Sequence, residues 1–212
     1  MKRRFKQVDV FTAEPLRGNP VAVVLDADDL DTAAMQRFAN WTNLSETSFV
    51  LPPTEAGADY HVRIFTPTVE LPFAGHPTVG TCHAWLEAGG VAQVPGKIVQ
   101  HCGVGLVELR EANGRLAFAA PPLRRGGPVD EADIADVCRV LRLDRSEVVD
   151  AQWCDNGPGW LAIQLVDAAA VLALDPEFEP AVGDEVGVIG PHPLGVVAVS
   201  YTHLTLPTIC SV

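Results

Sequence analysis

The chain has 212 residues, 48% of them hydrophobic and 20% charged, with a formal net charge of -12. That is ordinary globular composition, sufficient for one large domain or two modest ones, and no apolar run approaches membrane-spanning length. The excess of carboxylates, spread along the chain, excludes a nucleic-acid binder, whose affinity rests on Lys and Arg neutralising phosphates.

The start, Lys2-Arg3-Arg4-Phe5-Lys6, is basic, but Gln7, Asp9 and Glu14 stand where an export signal needs an apolar core. A cytoplasmic protein is expected. Gln7–Phe11 alternates polar and apolar as a strand does, and the turn Arg17-Gly18-Asn19-Pro20 leads into a second strand, Val21–Leu25. Asp31 reads as the N-cap of a helix with Ala34, Met35, Phe38 and Ala39 on one face, closed by Asn43. Strands follow at Thr47–Leu51 and Tyr60–Phe65. Pro77 suits the first turn of a helix running to Ala88 and stopped by Gly89-Gly90. That helix is apolar or small on most faces, so it is expected to be buried all round, with a curved sheet wrapped about it. Lys97–His101, Gly105–Leu109 and Leu116–Ala120 supply further strands.

Residues 121–128, Pro121-Pro122-Leu123-Arg124-Arg125-Gly126-Gly127-Pro128, read as a linker between a domain over 1–120 and a second over 129–199. The second opens with a helix capped by Asp130 and carrying Ile134, Val137, Cys138 and Leu141. Strands at Val148–Cys154, Trp160–Val166 and Gly195–Val199 begin to repeat the first plan without reaching a central helix. From Ser200 the texture changes. Residues 200–212 carry no charge and read as translated adapter or out-of-frame DNA, so a non-native tail on an incomplete second domain is expected.

The five cysteines, Cys82, Cys102, Cys138, Cys154 and Cys210, show no repeating spacing. They are expected to be buried, reduced thiols. Adjacent Cys82/His83 and His101/Cys102 point in different directions and do not readily chelate one ion, so no metal site is expected. His61, His83 and His101 read as structural, and His192 and His203 fall in the least informative part of the chain. Nothing resembles a nucleotide, flavin or pyridoxal site, which leaves proton transfer, hydrolysis or simple binding without a cofactor.

Two places invite chemistry. Glu46 lies between a helix end and a strand start, flanked by the hydroxyls of Ser45 and Thr47. A Glu in a polar loop is ordinarily solvated, but at the head of a strand facing a cleft it can be tuned as a general acid or base. Gly75-His76-Pro77-Thr78 opens the buried helix, where orphan N–H groups and the helix dipole suit a carboxylate. Gly75 lets a ligand approach the backbone. His76 is either a proton carrier there or a helix cap.

Five motifs occur in order: Val8-Asp9-Val10-Phe11, Gly18-Asn19-Pro20-Val21-Ala22-Val23, Asn43-Leu44-Ser45-Glu46-Thr47, Arg63-Ile64-Phe65-Thr66-Pro67 and Leu71-Pro72-Phe73-Ala74-Gly75-His76-Pro77-Thr78. Together they resemble the N-terminal domain of the PhzF-like phenazine-biosynthesis family. A looser likeness through Asn156-Gly157-Pro158-Gly159-Trp160-Leu161 extends to Val199. The resemblance implies an α+β, diaminopimelate-epimerase-like fold of two pseudo-symmetric domains, each a mixed sheet around a central helix, with the second incomplete here. It implies a cofactor-independent isomerase acting on a dihydro-hydroxyanthranilate-like carboxylate, often as a homodimer. Glu46 falls on the family's catalytic carboxylate, and His76 is the candidate partner in catalysis. Asn19, Ser45, Gly75 and His76 fall at substrate-binding positions. The family's Asp-Pro and Thr-Gly-Ser segment, which completes the site, is not in this sequence, so these residues alone are expected to be inactive. Two alternatives remain: a non-catalytic anion-binding protein, and a two-thiol epimerase or racemase, for which Cys82 lies too far along the helix.

Overall fold

The computed structural model of the chain describes residues 2–12, 14–156, 159–176, 186–191, 197–203 and 206–211. The chain divides into two units, one of Met1–Val10 and Pro20–Pro122, the other of Phe11–Asn19 and Leu123–Val212.

Strands β1 (Phe5–Val10), β2 (Asn19–Val24), β3 (Glu46–Leu51), β4 (Tyr60–Phe65), β5 (Glu70–Leu71), β6 (Lys97–Cys102), β7 (Gly105–Ala112) and β8 (Arg115–Phe118) form one sheet. Its order is β1-β2-β3-β4-β6-β7-β8, with β5 on β4. The pairs β2/β3 and β4/β6 are parallel, so each needs a crossover. Helix α1 (Thr32–Thr42) supplies the first and α2 (Gly75–Glu87) the second.

Local sequence explains where α1 begins and ends. The Asp31 carboxylate accepts from the Ala34 amide at 2.7 Å, and Asn43 stops the helix in the left-handed conformation at φ 55°. Strand alternation then sorts the sheet's two faces. Val24, Phe49 and Phe65 point to one side and pack with Met35 and Ala39 of α1. Val21 and Tyr60 point to the other and meet Gly80 and Trp85 of α2.

Helix α2 packs against β1, β3 and β8. The outermost strands of that list are the two ends of the sheet. Laid flat, seven strands would span about 29 Å, almost three helix diameters, so the sheet must curl around α2. The helix runs Gly75–Glu87 and not from Pro77 to Ala88: Ala74 is the N-cap, and a proline is tolerated throughout the first turn, where its missing N–H has no intrahelical acceptor.

The second unit has a six-stranded sheet in the order β14-β13-β12-β11-β10-β9. Its strands are β9 (Arg125–Pro128), β10 (Val148–Asp155), β11 (Leu161–Leu165), β12 (Val186–Pro191), β13 (Val197–His203) and β14 (Leu206–Ser211). Helices α3 (Glu131–Leu141) and α4 (Ala168–Leu172) accompany them. Ile134, Val137 and Leu141 of α3 form a core with Trp153, Leu161, Ile163 and Val188. The pairings from β10 to β14 are antiparallel, parallel, antiparallel, antiparallel. Those from β3 to β8 along the first sheet follow the same series, with α2 and α4 in equivalent crossovers.

One expectation is corrected. The second half of the expected linker, Arg125–Pro128, is β9, paired in register with β10 and carrying the Arg125 guanidinium 3.4 Å from the Trp153 ring. The second unit has a short crossover helix, the five-residue α4, between the parallel β11 and β12. Residues 200–203 lie in β13, and 206–211 form β14. Residues 195 and 196, His192 and the pair Gly157-Pro158 lie outside the described residues. Among the described residues no helix is long and apolar enough to cross a membrane.

Candidate active site

Glu46 is not in a solvated loop. It is the first residue of β3, lies opposite Val21 in the parallel β2 register, and is 1% exposed. Alternation turns Glu46 toward α2 and the adjoining Thr47 away from it. The Thr47 hydroxyl meets that of Thr42 at 2.9 Å, tying the end of α1 to the start of β3. Helix α1 is also fastened to the loop before β5, through Gln36 Nε2 to the Thr66 carbonyl at 2.9 Å and Asn40 Nδ2 to the Pro67 carbonyl at 3.2 Å.

His76 is the second residue of α2 and is 7% exposed. Its Nε2 stands 3.1 Å from Glu46 Oε2. Ala74 holds the N-cap position and has no side-chain capping bond. The arrangement therefore joins a buried carboxylate, a buried imidazole and a helix start, which is a set of groups able to accept, hold and return a proton.

Ser45 and Asn19 are both buried, Ser45 directly before Glu46 and Asn19 as the first residue of β2. Gly75 has a role that ligand approach alone does not explain. A Cβ there would lie 3.2 Å from the Phe118 ring of β8, so a larger residue would push that ring back by a few tenths of an ångström.

One polar network was missed in the sequence. Gln100 of β6 is fully buried and donates from Nε2 to Thr78 Oγ1 at 2.9 Å. Its Oε1 accepts from the Tyr60 hydroxyl at 3.2 Å. Burial first, and the neighbouring Cys82 next, push the Tyr60 phenol up, so it stays a donor. The available signal was a carboxamide between Ile98 and Cys102 on an apolar strand face.

The remaining candidates lie elsewhere. His61 and His101 stack with ring centroids 4.8 Å apart, and His101 Nδ1 is 2.9 Å from Thr54 Oγ1. Burial, then His101, lowers the His61 pKa. His83 is exposed and 3.4 Å from Glu87. Cys82, Cys102 and Cys138 are buried and reduced, but Cys154 is exposed because it faces away from the core that Trp153 joins. Burial pushes the Cys82 thiol up to about 12, which is the wrong direction for a two-thiol acid–base pair. Among the described residues no three His, Cys, Asp or Glu side chains gather to hold a metal ion.

Comparison with known proteins identifies the family and the fold. A family model described as phenazine biosynthesis-like protein, PhzC-PhzF, matches residues 8–199. The protein named antisense-enhancing sequence 1 of Schizosaccharomyces pombe is 45% identical over 183 residues, covering 82% of this chain and 62% of its own length. A trans-2,3-dihydro-3-hydroxyanthranilate isomerase of Pseudomonas chlororaphis is 39% identical over 173 residues, covering 80% of this chain and 60% of its own. The chain thus spans about three-fifths of the length of these two relatives. The crystal structure of a PhzF-family phenazine biosynthesis protein of Enterococcus faecalis matches with a TM-score of 0.74 at 24% identity, covering 100% of this chain and 78% of that one. That likeness speaks to the α+β fold. With the family model matched over most of its residues, the chain belongs to the PhzF-like phenazine biosynthesis family.

Proposed function

We propose that this chain carries one wall of a cofactor-independent isomerase site that moves a proton on a small unsaturated carboxylate of the dihydro-hydroxyanthranilate type. The observation that carries the proposal is the 3.1 Å contact of Glu46 and His76 at the first turn of α2. Glu46 as carboxylate removes a proton from a carbon next to the double bond. The electron pair shifts along the conjugated system, and Glu46 as acid returns the proton at another carbon, so atoms and electrons balance without a cofactor. His76 stabilises the charge that develops. The start of α2 at Gly75 and His76 holds the substrate carboxylate, with Ser45 and Asn19 completing the binding set, and this positioning supplies much of the rate. The enzyme works in the cytoplasm as a homodimer. The isomerase name of the Pseudomonas chlororaphis relative supports the reaction class.

The test is isomerisation of trans-2,3-dihydro-3-hydroxyanthranilate by the protein in deuterium oxide. Glu46→Gln is expected to lower the rate by about 10²–10⁴-fold. Equal rates in the parent and Glu46→Gln would remove Glu46 from the chemistry. Binding that survives the substitution, with no deuterium entering the ligand in either protein, would favour an anion-binding protein.

A further inference from the structure

His61 of β4 and His101 of β6 are register partners on adjacent parallel strands, so their side chains project to one face of the sheet. That face is turned away from α2, because the preceding residue, Tyr60, meets Trp85 of that helix. Both imidazoles are half-buried and reach solvent. They lie on the opposite face of the sheet from Glu46.

The spacing of the two rings matches what one metal ion bound to both requires. A zinc-like divalent cation sits about 2.0–2.1 Å from an imidazole nitrogen, hence roughly 3.2 Å from the ring centre. Two rings at a right angle about the ion then have centres about 4.5 Å apart, and at the tetrahedral angle about 5.2 Å. The His61 and His101 centroids stand 4.8 Å apart, inside that interval.

The surroundings suit a cation as well. His101 Nδ1 is 2.9 Å from the Thr54 hydroxyl, which can accept its proton and leave the Nε2 lone pair for a ligand. Such an outer partner on the second ring nitrogen is the usual companion of a metal-binding histidine. Arg63, two residues along the same face, is bonded to both carboxylate oxygens of Glu70, which offsets its repulsion of a second cation. The two strands are also fastened just before His61. The Asp59 carboxylate accepts from the Val99 amide at 2.7 Å, and the Asp59 amide donates to the Val99 carbonyl at 2.7 Å. The histidines therefore stand on a rigid base.

We propose that His61 and His101 form a two-imidazole site for a divalent transition-metal ion of the nickel, copper or zinc class, with water completing the coordination. Imidazole nitrogen suits these ions, whereas magnesium and calcium prefer oxygen ligands. The bound ion ties β4 to β6, the strands whose Tyr60 and Gln100 are bonded on the other face. The site does not depend on the isomerase reading and would exist whatever the chemistry at Glu46.

Calorimetric titration of the untagged protein with nickel(II) chloride tests the proposal, in the parent and in His61→Gln, His101→Gln and His83→Gln. One saturable nickel site is expected in the parent, with a Tm that rises with nickel concentration. Either His61→Gln or His101→Gln removes it. His83→Gln keeps it, since that histidine is exposed beside Glu87 on α2. Thr54→Val is expected to weaken binding about tenfold. If a variant does not fold, paramagnetic broadening in the parent decides, and it is expected to be strongest at the His61 and His101 rings. Broadening centred elsewhere overturns the proposal. So does nickel affinity that is equal in the parent and both variants, which means an adventitious ion only, or the absence of saturable binding.

Discussion

His76, the second residue of α2, places its Nε2 3.1 Å from Oε2 of Glu46, the first residue of β3, and both side chains are almost fully buried. Two crossovers converge on this contact, one delivering β3 from α1 and the other delivering α2 from β4. Removing one member of such a pair leaves the other with a poor partner in a water-poor site. His76→Leu is expected to lower unfolding free energy by about 3 kcal/mol. Glu46→Gln is expected to cost less, since an amide still occupies the site. In a urea-denaturation cycle the double variant should deviate from additivity by about 1 kcal/mol or more. Additivity within about 0.5 kcal/mol would show that the two groups are neighbours without energetic coupling.

Gln100 yields a second expectation. Its carboxamide is satisfied at both ends, by Thr78 and Tyr60. Gln100→Leu leaves both hydroxyls without that partner and is expected to cost about 2–3 kcal/mol. Tyr60→Phe removes one hydroxyl, leaves Gln100 bonded to Thr78, and should cost about 1 kcal/mol. Equal losses for the two variants, measured by the same denaturation, would mean that the network is not what holds this side of α2.

Cys82 sets a third, on the alkaline side. Its thiol is raised from about 9 to about 12 in the folded protein, chiefly by burial. Between those values the unfolded chain sheds the proton and the folded chain keeps it. The associated stability is therefore complete below pH 9 and is lost as pH rises toward 12, by at most about 1.4 kcal/mol per pH unit. The Tyr60 phenol, also raised by burial, acts in the same direction. Cys82→Ala should flatten the fall in stability between pH 9 and 11. An unchanged slope in that variant would assign alkaline unfolding to other groups.

Much of the first unit was legible because its signals are local. Asp31 and Asn43 mark the ends of α1 through side-chain capping and a left-handed stop, and alternation marks β4 to the residue. Glu46 and His76 were legible as chemistry-bearing types at element starts. What spacing did not carry was their meeting, which depends on the curl of the sheet. Gln100 and Thr78 were hidden for a related reason: which strand a helix residue faces is a matter of rotation about the helix axis. Gly80 shows the same limit. Its small size could be read from the sequence, but its necessity comes from Val21 and Val10, which a Cβ would approach to 2.5 and 2.9 Å. In the second unit β9 was concealed by composition, since Gly126, Gly127 and Pro128 suppress strand propensity while β10 supplies the pairing.

The contact of Phe118 with the start of α2 bears on how the first unit is made. Phe118 closes over Gly75 and meets Phe73 at a ring-centroid distance of 5.6 Å, on the last strand of the sheet. As the chain leaves the ribosome, α2 emerges well before the strand that covers its first turn. Until Phe118 arrives, the helix start that carries His76 has no cover on that side. Synthesis of this unit is thus a wrapping process whose final step secures the same helix turn that meets Glu46.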